Sequence, residues 1–256
     1  MFLVPLIVIL VVAALAYGGY QAYHRSRAKR EAYDPGNILL NEANEHDRNG
    51  RYGQAIRSYK NAETYFRSKN DTKNTARTIL MQALSHQAAN EHEKAVDVFM
   101  EAAEMCREMG DKESLGHVYM KLSETYEIQE IYPKAEKYQE KAKDIWRLSD
   151  NEPLSKYALY RLGLTRAKMG RKEAAVQDLE EAVEYHSKTL GLPKLVDMLI
   201  ETAGVEEGLG ARAEALRNYR ETERNLYRLG DTKRGAETRK KIEALEHELP
   251  QDQERP

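Results

Sequence analysis

The apolar positions of this chain recur every forty residues. One bulky column runs Leu39, Ile79, Tyr119, Leu159 and Leu199, and a second runs Tyr59, Phe99, Gln139, Leu179 and Tyr219. A third, Phe66, Cys106, Trp146, His186 and Leu226, extends the apolar face toward the end of each second segment. Small residues keep the same register at Ala55, Ala95, Ala135, Ala175 and Ala215, and again at Ala62, Ala102, Ala142, Ala182 and Thr222. A further small column runs Ala43, Ala83, Ser123, Gly163 and Ala203. Small side chains let helix backbones approach where two helices cross, and large neighbours fill the space around them. The pattern therefore predicts a pair of helices in each unit, written five times. Turns fall within units at Gly50, Asn90, Glu130, Gly170 and Gly210. Between units they fall at Asn70-Asp71, Gly110-Asp111, Asp150-Asn151, Leu190-Gly191 and Gly230-Asp231, mostly residue types that end one helix and cap the next. Gln139 and Glu136 break the apolar pattern, with Tyr138 placed to supply bulk, so a looser contact is expected in the third unit.

This order of small residue, turn, alanine, aromatic and second alanine resembles the tetratricopeptide repeat over roughly residues 36–235. The family's usual period is about 34, and a forty-residue unit ending in a Gly-Asp turn is similar to the repeats of kinesin light chains and mitotic spindle-orientation adaptors. Two features depart from it. The aromatic expected three residues after the first small position stands only at Tyr126, against His46, His86, Arg166 and Glu206, and the proline near the end of the second helix is absent. The resemblance implies an all-α, right-handed superhelical solenoid of about five helix pairs, at 36–75, 76–115, 116–155, 156–195 and 196–235. A capping helix over 236–249, with Ile242, Leu245 and Leu249 on one face, and a polar, disordered tail over 250–256 are expected to follow. The resemblance also implies that the first helix of each unit lines a concave groove. The facing positions are then Leu40, Leu80, Met120, Tyr160 and Ile200, with Asn44, Leu84, Glu124 and Leu164 one turn on. Such a groove suits a helix or extended segment with hydrophobic anchors. Basic residues of the kind that clamp a terminal carboxylate in chaperone-binding members have no counterpart in this column.

The segment from Phe2 to Tyr23 carries no charged side chain and is long enough to cross a hydrocarbon core, so residues 1–23 read as one transmembrane helix. Tyr17, Tyr20 and Tyr23 suit an interfacial aromatic belt, and Arg25, Arg27, Lys29 and Arg30 follow directly. The positive-inside tendency puts those cations, and the repeats behind them, in the cytoplasm, with the amino terminus outside. The alternative is a secretory signal cleaved near Ala14-Leu15-Ala16, giving a secreted or periplasmic protein, although the charged region that should precede the apolar run is missing. Residues 24–35 form a basic linker that also suits anionic headgroups, closed by Asp34-Pro35 as a helix cap and first-turn proline.

With 40 basic against 42 acidic residues, the net charge of −2 gives no field to drive nucleic-acid binding. The lone cysteine, Cys106, excludes an internal disulfide and belongs to an apolar column. No zinc-protease motif, phosphate loop, cysteine pair or nucleophile elbow is present. Gly208-Leu209-Gly210 lies at a helix turn with no preceding strand, so it is not a dinucleotide site. His46 and His86 share a position in adjacent units, but Tyr126, Arg166 and Glu206 follow, and no third metal ligand appears. Arg67, Arg107 and Arg147 recur near helix ends, where cations favour the macrodipole; a ladder for an acidic peptide is the functional alternative. The expectation is a membrane-anchored, non-enzymatic adaptor for a protein or peptide, without cofactor or metal. The alternative is an extracytoplasmic envelope assembly or chaperone-like factor, and an enzyme or a subunit that regulates one ranks last because no site for it is found in the sequence.

Overall fold

The computed structural model describes residues 34–248. Among them lie eleven α-helices and no strand: α1 Pro35–Arg48, α2 Tyr52–Ser68, α3 Thr72–Ala88, α4 His92–Glu108, α5 Lys112–Ile128, α6 Tyr132–Arg147, α7 Glu152–Lys168, α8 Lys172–Thr189, α9 Leu192–Gly208, α10 Arg212–Arg228 and α11 Thr232–Glu248. The chain divides into two compact units at residues 105 and 106. Among the described residues no helix is long and apolar enough to cross a membrane. The expected span at 1–23, the linker before Asp34 and the tail at 250–256 lie outside the described residues.

The ends of the helices follow from a few residues each. Nine of the eleven close on a residue of positive φ, spaced twenty residues apart: Gly50, Asn70, Asn90, Gly110, Glu130, Asp150, Gly170, Gly210 and Gly230. The next N–H then reaches back five residues, as Arg51 N does to His46 O and Ile131 N to Tyr126 O, which satisfies the last carbonyls. The break in the series is at Leu190, which is extended, so α8 ends open and Gly191 and Pro193 start α9 instead. At the other ends, Asp34, Asp71, Asp111, Asn151 and Asp231 accept backbone N–H groups from the first turns of α1, α3, α5, α7 and α11.

The small columns lie at the closest approaches. Ala43, Ala55, Ala83, Ala95, Ala135, Ala175, Ala203 and Ala215 have no exposed surface, and Ser123 and Thr222 are equally enclosed. A methyl group on Gly163 would stand 2.8 Å from Leu179 Cγ and 3.2 Å from the Ala175 carbonyl, so only glycine fits there. A further size match crosses from the first helix of a pair to the end of the second. A Cβ on Gly116 would lie 2.4 Å from the ring of buried Trp146, and one on Gly36 would lie 2.6 Å from Phe66. At the same positions in the last pair stand Val196 and Leu226, both buried. The large ring and the missing side chain go together.

The column that departs from the family pattern has its own logic in the second unit. Tyr126 stacks on Tyr138 with ring centroids 5.7 Å apart, Arg166 Nη1 donates to Asp178 Oδ2 at 2.6 Å, and Asn218 Nδ2 donates to Glu206 Oε2 at 2.7 Å. Each partner lies twelve residues on, so one helix–helix contact is made by rings, by an ion pair and by an amide–carboxyl bond in turn. Gln139, the misfit of the bulky column, is fully buried and bonded into a polar network rather than loosely packed.

Candidate functional site

In the second unit α5, α7 and α9 place Glu127, Arg161, Leu164, Ala167, Lys168, Glu201, Val205 and Gly208, with Leu209 just beyond α9, around a pocket of about 390 Å³. Its floor is aliphatic: Leu164 and Val205 are half-buried against Leu159, Tyr160, Leu162, Leu179 and Ala182. These side chains share a face because 161, 164 and 168, and likewise 201, 205 and 209, are one turn apart on their helices.

Polar groups converge on this floor. Arg161 is paired with Glu127 through Nη2 and Oε2. Glu127 Oε1 accepts from Gln139 Nε2 at 2.5 Å and from Thr165 Oγ1 at 2.9 Å, and Gln139 Nε2 also donates to Thr165 Oγ1 at 2.9 Å. Tyr160, 5% exposed, donates its hydroxyl to Glu201 Oε2 at 2.6 Å, and burial pushes that phenol far above its usual range. The Lys168 ammonium lies 5.6 Å from the centre of the Tyr132 ring.

The positions expected to face a groove are distributed unevenly. Of the five in the second unit, Leu164 lines the pocket and Tyr160 supports it from beneath, while Met120, Glu124 and Ile200 are half-buried elsewhere, Glu124 held by Lys121 Nζ at 2.7 Å. In the first unit Leu40 is a core residue at 5% exposed, packed with Ala43, Ala55, Tyr59, Ala62 and Phe66. Asn44 Oδ1 accepts from Tyr59 Oη at 2.7 Å, and Leu80 and Leu84 are half-buried. Arg161 was missed because the expected column follows positions 160 and 200, one residue before Arg161 and Glu201, and Lys168, Val205 and Leu209 lie off the expected positions; the charged residues Arg161 and Glu201 at one repeat position were the available signal.

The other candidates resolve into local structure. His86 Nδ1 lies 2.6 Å from Glu91, His46 Nε2 lies 3.7 Å from Glu42, and no group of three or more His, Cys, Asp or Glu that could hold a metal occurs among the described residues. Arg67 bridges Glu63 and Glu101 at 2.7 and 2.6 Å, Arg107 donates to the Tyr119 hydroxyl at 3.2 Å, and Arg147 lies 3.5 Å from Asp144. Cys106 is buried, and burial pushes its thiol up, away from the reactive thiolate. Gly210, at φ 71°, closes the α9 turn as the sequence position required.

Residues 114–188 match the family model for the tetratricopeptide repeat, and residues 39–129 match that for anaphase-promoting complex subunit 5. No curated protein matches the chain. Among solved structures, BtubC (BKLC) from P. vanneervenii is similar with a TM-score of 0.67 at 18% identity, over 80% of this chain and 87% of that one. A putative kinesin light chain with nearly identical repeats, from Podosopora anserina, gives 0.63 at 17% identity over 77% and 98%. A Rap protein complexed with competence and sporulation factor gives 0.57 at 15% identity over 91% and 72%. At these identities the likeness establishes the fold.

Proposed function

Taking the chain as a carrier of tetratricopeptide repeats, we propose that it is a non-enzymatic adaptor that holds a protein or peptide partner on the face formed by α5, α7 and α9. The observation that carries this reading is the pocket between α7 and α9, where half-buried Leu164 and Val205 leave apolar surface beside polar groups. A concave apolar site with a few converging polar groups is the usual form of a recognition site. The complex of the structurally similar Rap protein with competence and sporulation factor supports the same reading.

The adaptor acts at a membrane. The uncharged run from Phe2 to Tyr23 and the cations behind it support a single-pass anchor with the repeats on the cytoplasmic side. An extracytoplasmic assembly factor is the competing arrangement, and protease added to sealed vesicles separates the two. The groove itself is tested by Leu164→Ser with Val205→Ser in the full chain, followed by capture of partners from membranes. Loss of the captured partner with unchanged helical circular dichroism is the expected result. Undiminished capture would remove this face as the binding site.

A further inference from the structure

The column that fills the end of each second helix with Phe66, Cys106, Trp146 and Leu226 places His186 at the end of α8. The residue is 6% exposed, and neither ring nitrogen meets a hydrogen-bond partner among the described residues. At the position that Gly36, Ala76, Gly116 and Val196 hold in the other pairs, α7 carries Lys156. Its ammonium bonds Glu181 Oε1 at 2.7 Å and lies 6.0 Å from the centre of the Tyr185 ring, which stands edge-on to the imidazole at 5.3 Å. No carboxylate is placed to offset a charge on the ring. On α8, Glu181 is held by Lys156 and Glu184 by Lys188; on α7, Glu152 is exposed; on α9, Lys194 and Asp197 are exposed, the latter held by Arg234. Lys143, Asp144 and Arg147 of α6, with Asp150, line an open cavity of about 710 Å³ that Lys156 borders and His186 does not. A proton on a buried, unpartnered imidazole beside an ammonium is opposed by desolvation and by like charge. Burial first and Lys156 second hold His186 below its usual range.

The same residue sits at the join that lacks the usual closure. After α6 the N–H groups of Ser149, Asp150 and Asn151 turn back onto the carbonyls of Trp146 and Arg147. After α8 the Leu190 N–H bonds His186 O at 2.8 Å, Leu190 is extended, and Gly191 gives α9 no side-chain cap. Little backbone bonding therefore holds α8 to α9, and the packing around His186 carries the join.

We propose that the α8–α9 junction is an acid-released hinge, in which protonation of His186 drives its ring out of the core and frees the start of α9 from α8. Above the ordinary imidazole value of 6.5 the proton is absent from closed and opened chain alike. Below it the opened chain takes the proton first, so opening is favoured as pH falls. Because α9 supplies Glu201, Val205 and Gly208 to the pocket, opening dismantles that wall. The consequence for a bound partner rests on the adaptor reading above; the hinge itself is tested without a partner.

The test is amide hydrogen exchange of the full chain in micelles between about pH 8 and about pH 5, on the parent and on His186→Leu, the residue type of Leu226. The ratio of protection factors, variant over parent, cancels the intrinsic pH dependence of exchange and groups common to both chains, buried Glu206 of α9 among them. The expected ratio is level above 6.5, rises below it by up to about tenfold per pH unit at residues 190–199, and stays level at 150–159, the corresponding join after α6. A ratio independent of pH at 190–199 would overturn the hinge, and so would an equal rise at both joins. Should His186→Leu fail to fold, His186→Phe, the residue type of Phe66, takes its place. A His186 ring whose NMR signals titrate at or above 6.5 in the folded parent would overturn the proposal without any variant. None of these results bears on the adaptor reading, which the capture experiment with Leu164→Ser and Val205→Ser judges alone.

Discussion

Neutralising Glu206 should make the protein more stable at neutral pH and remove a step from its pH profile. Glu206 lies on α9 with no exposed surface; its Oε2 accepts from Asn218 and its Oε1 has no partner. Burial pushes its carboxyl up to about 7, with the bond from Asn218 and the charge of Arg217 pulling down and the charges of Glu180 and Glu214 pushing up. Below the ordinary carboxyl value of 4.5 both folded and unfolded states hold the proton, and the group costs nothing. Between there and about 7 the unfolded chain ionises while the folded one does not, so stability falls as pH rises, by about 1.4 kcal/mol per pH unit. The full loss is about 2–3 kcal/mol, the lower figure allowing for relaxation and solvent screening. Urea denaturation followed by circular dichroism, on the parent and on Glu206→Gln at about pH 5 and pH 8, reads the difference directly. Because stacked repeats unfold in sections, the comparison uses the transition that reports α9 and α10. The expected outcome is a parent that loses about 2–3 kcal/mol relative to the glutamine variant between the two pH values. Two profiles that stay parallel within about 0.5 kcal/mol would refute the reasoning, since additive, pH-independent effects of the amide cancel in that comparison.

Two further substitutions test the packing and the turns. Glu130, at φ 58°, holds a left-handed turn that the same position in other units gives to Gly50, Gly170 and Gly210, so Glu130→Gly should stabilise by about 0.5–1 kcal/mol in thermal or urea unfolding. Loss of stability there would show that the glutamate side chain has a role beyond the turn. Gly116→Ala puts a methyl group into the Trp146 ring and should destabilise by about 1–3 kcal/mol. Combining it with Trp146→Leu, the residue type of Leu226, should cost less than the sum of the two single changes, and strict additivity in a double-mutant cycle would deny the size match.

The sequence by itself determined what is periodic. Alanine at 55, 95, 135, 175 and 215 marks helix crossings because no larger side chain fits there, and each of the five has no exposed surface. Glycine, asparagine or aspartate at most of the twenty-residue turns is legible for the same local reason, that few residues accept positive φ. What pairs across helices was not legible. His46, His86, Tyr126, Arg166 and Glu206 look like erosion of an aromatic column, yet in the second unit each residue suits a partner twelve positions on, which only packed helices bring within 3 Å or into a ring stack. Gln139 stood out as a misfit, but its value depends on Thr165 and Glu127, which belong to different helices. The pocket was half visible: Leu164 followed from the repeat register, whereas Arg161, Lys168, Val205 and Leu209 became neighbours only when α7 packed beside α9. Steric exclusion and backbone preference act on single residues and leave a trace at fixed spacing; charge pairing and cavity shape act between residues far apart in sequence, and the tertiary structure alone decides them.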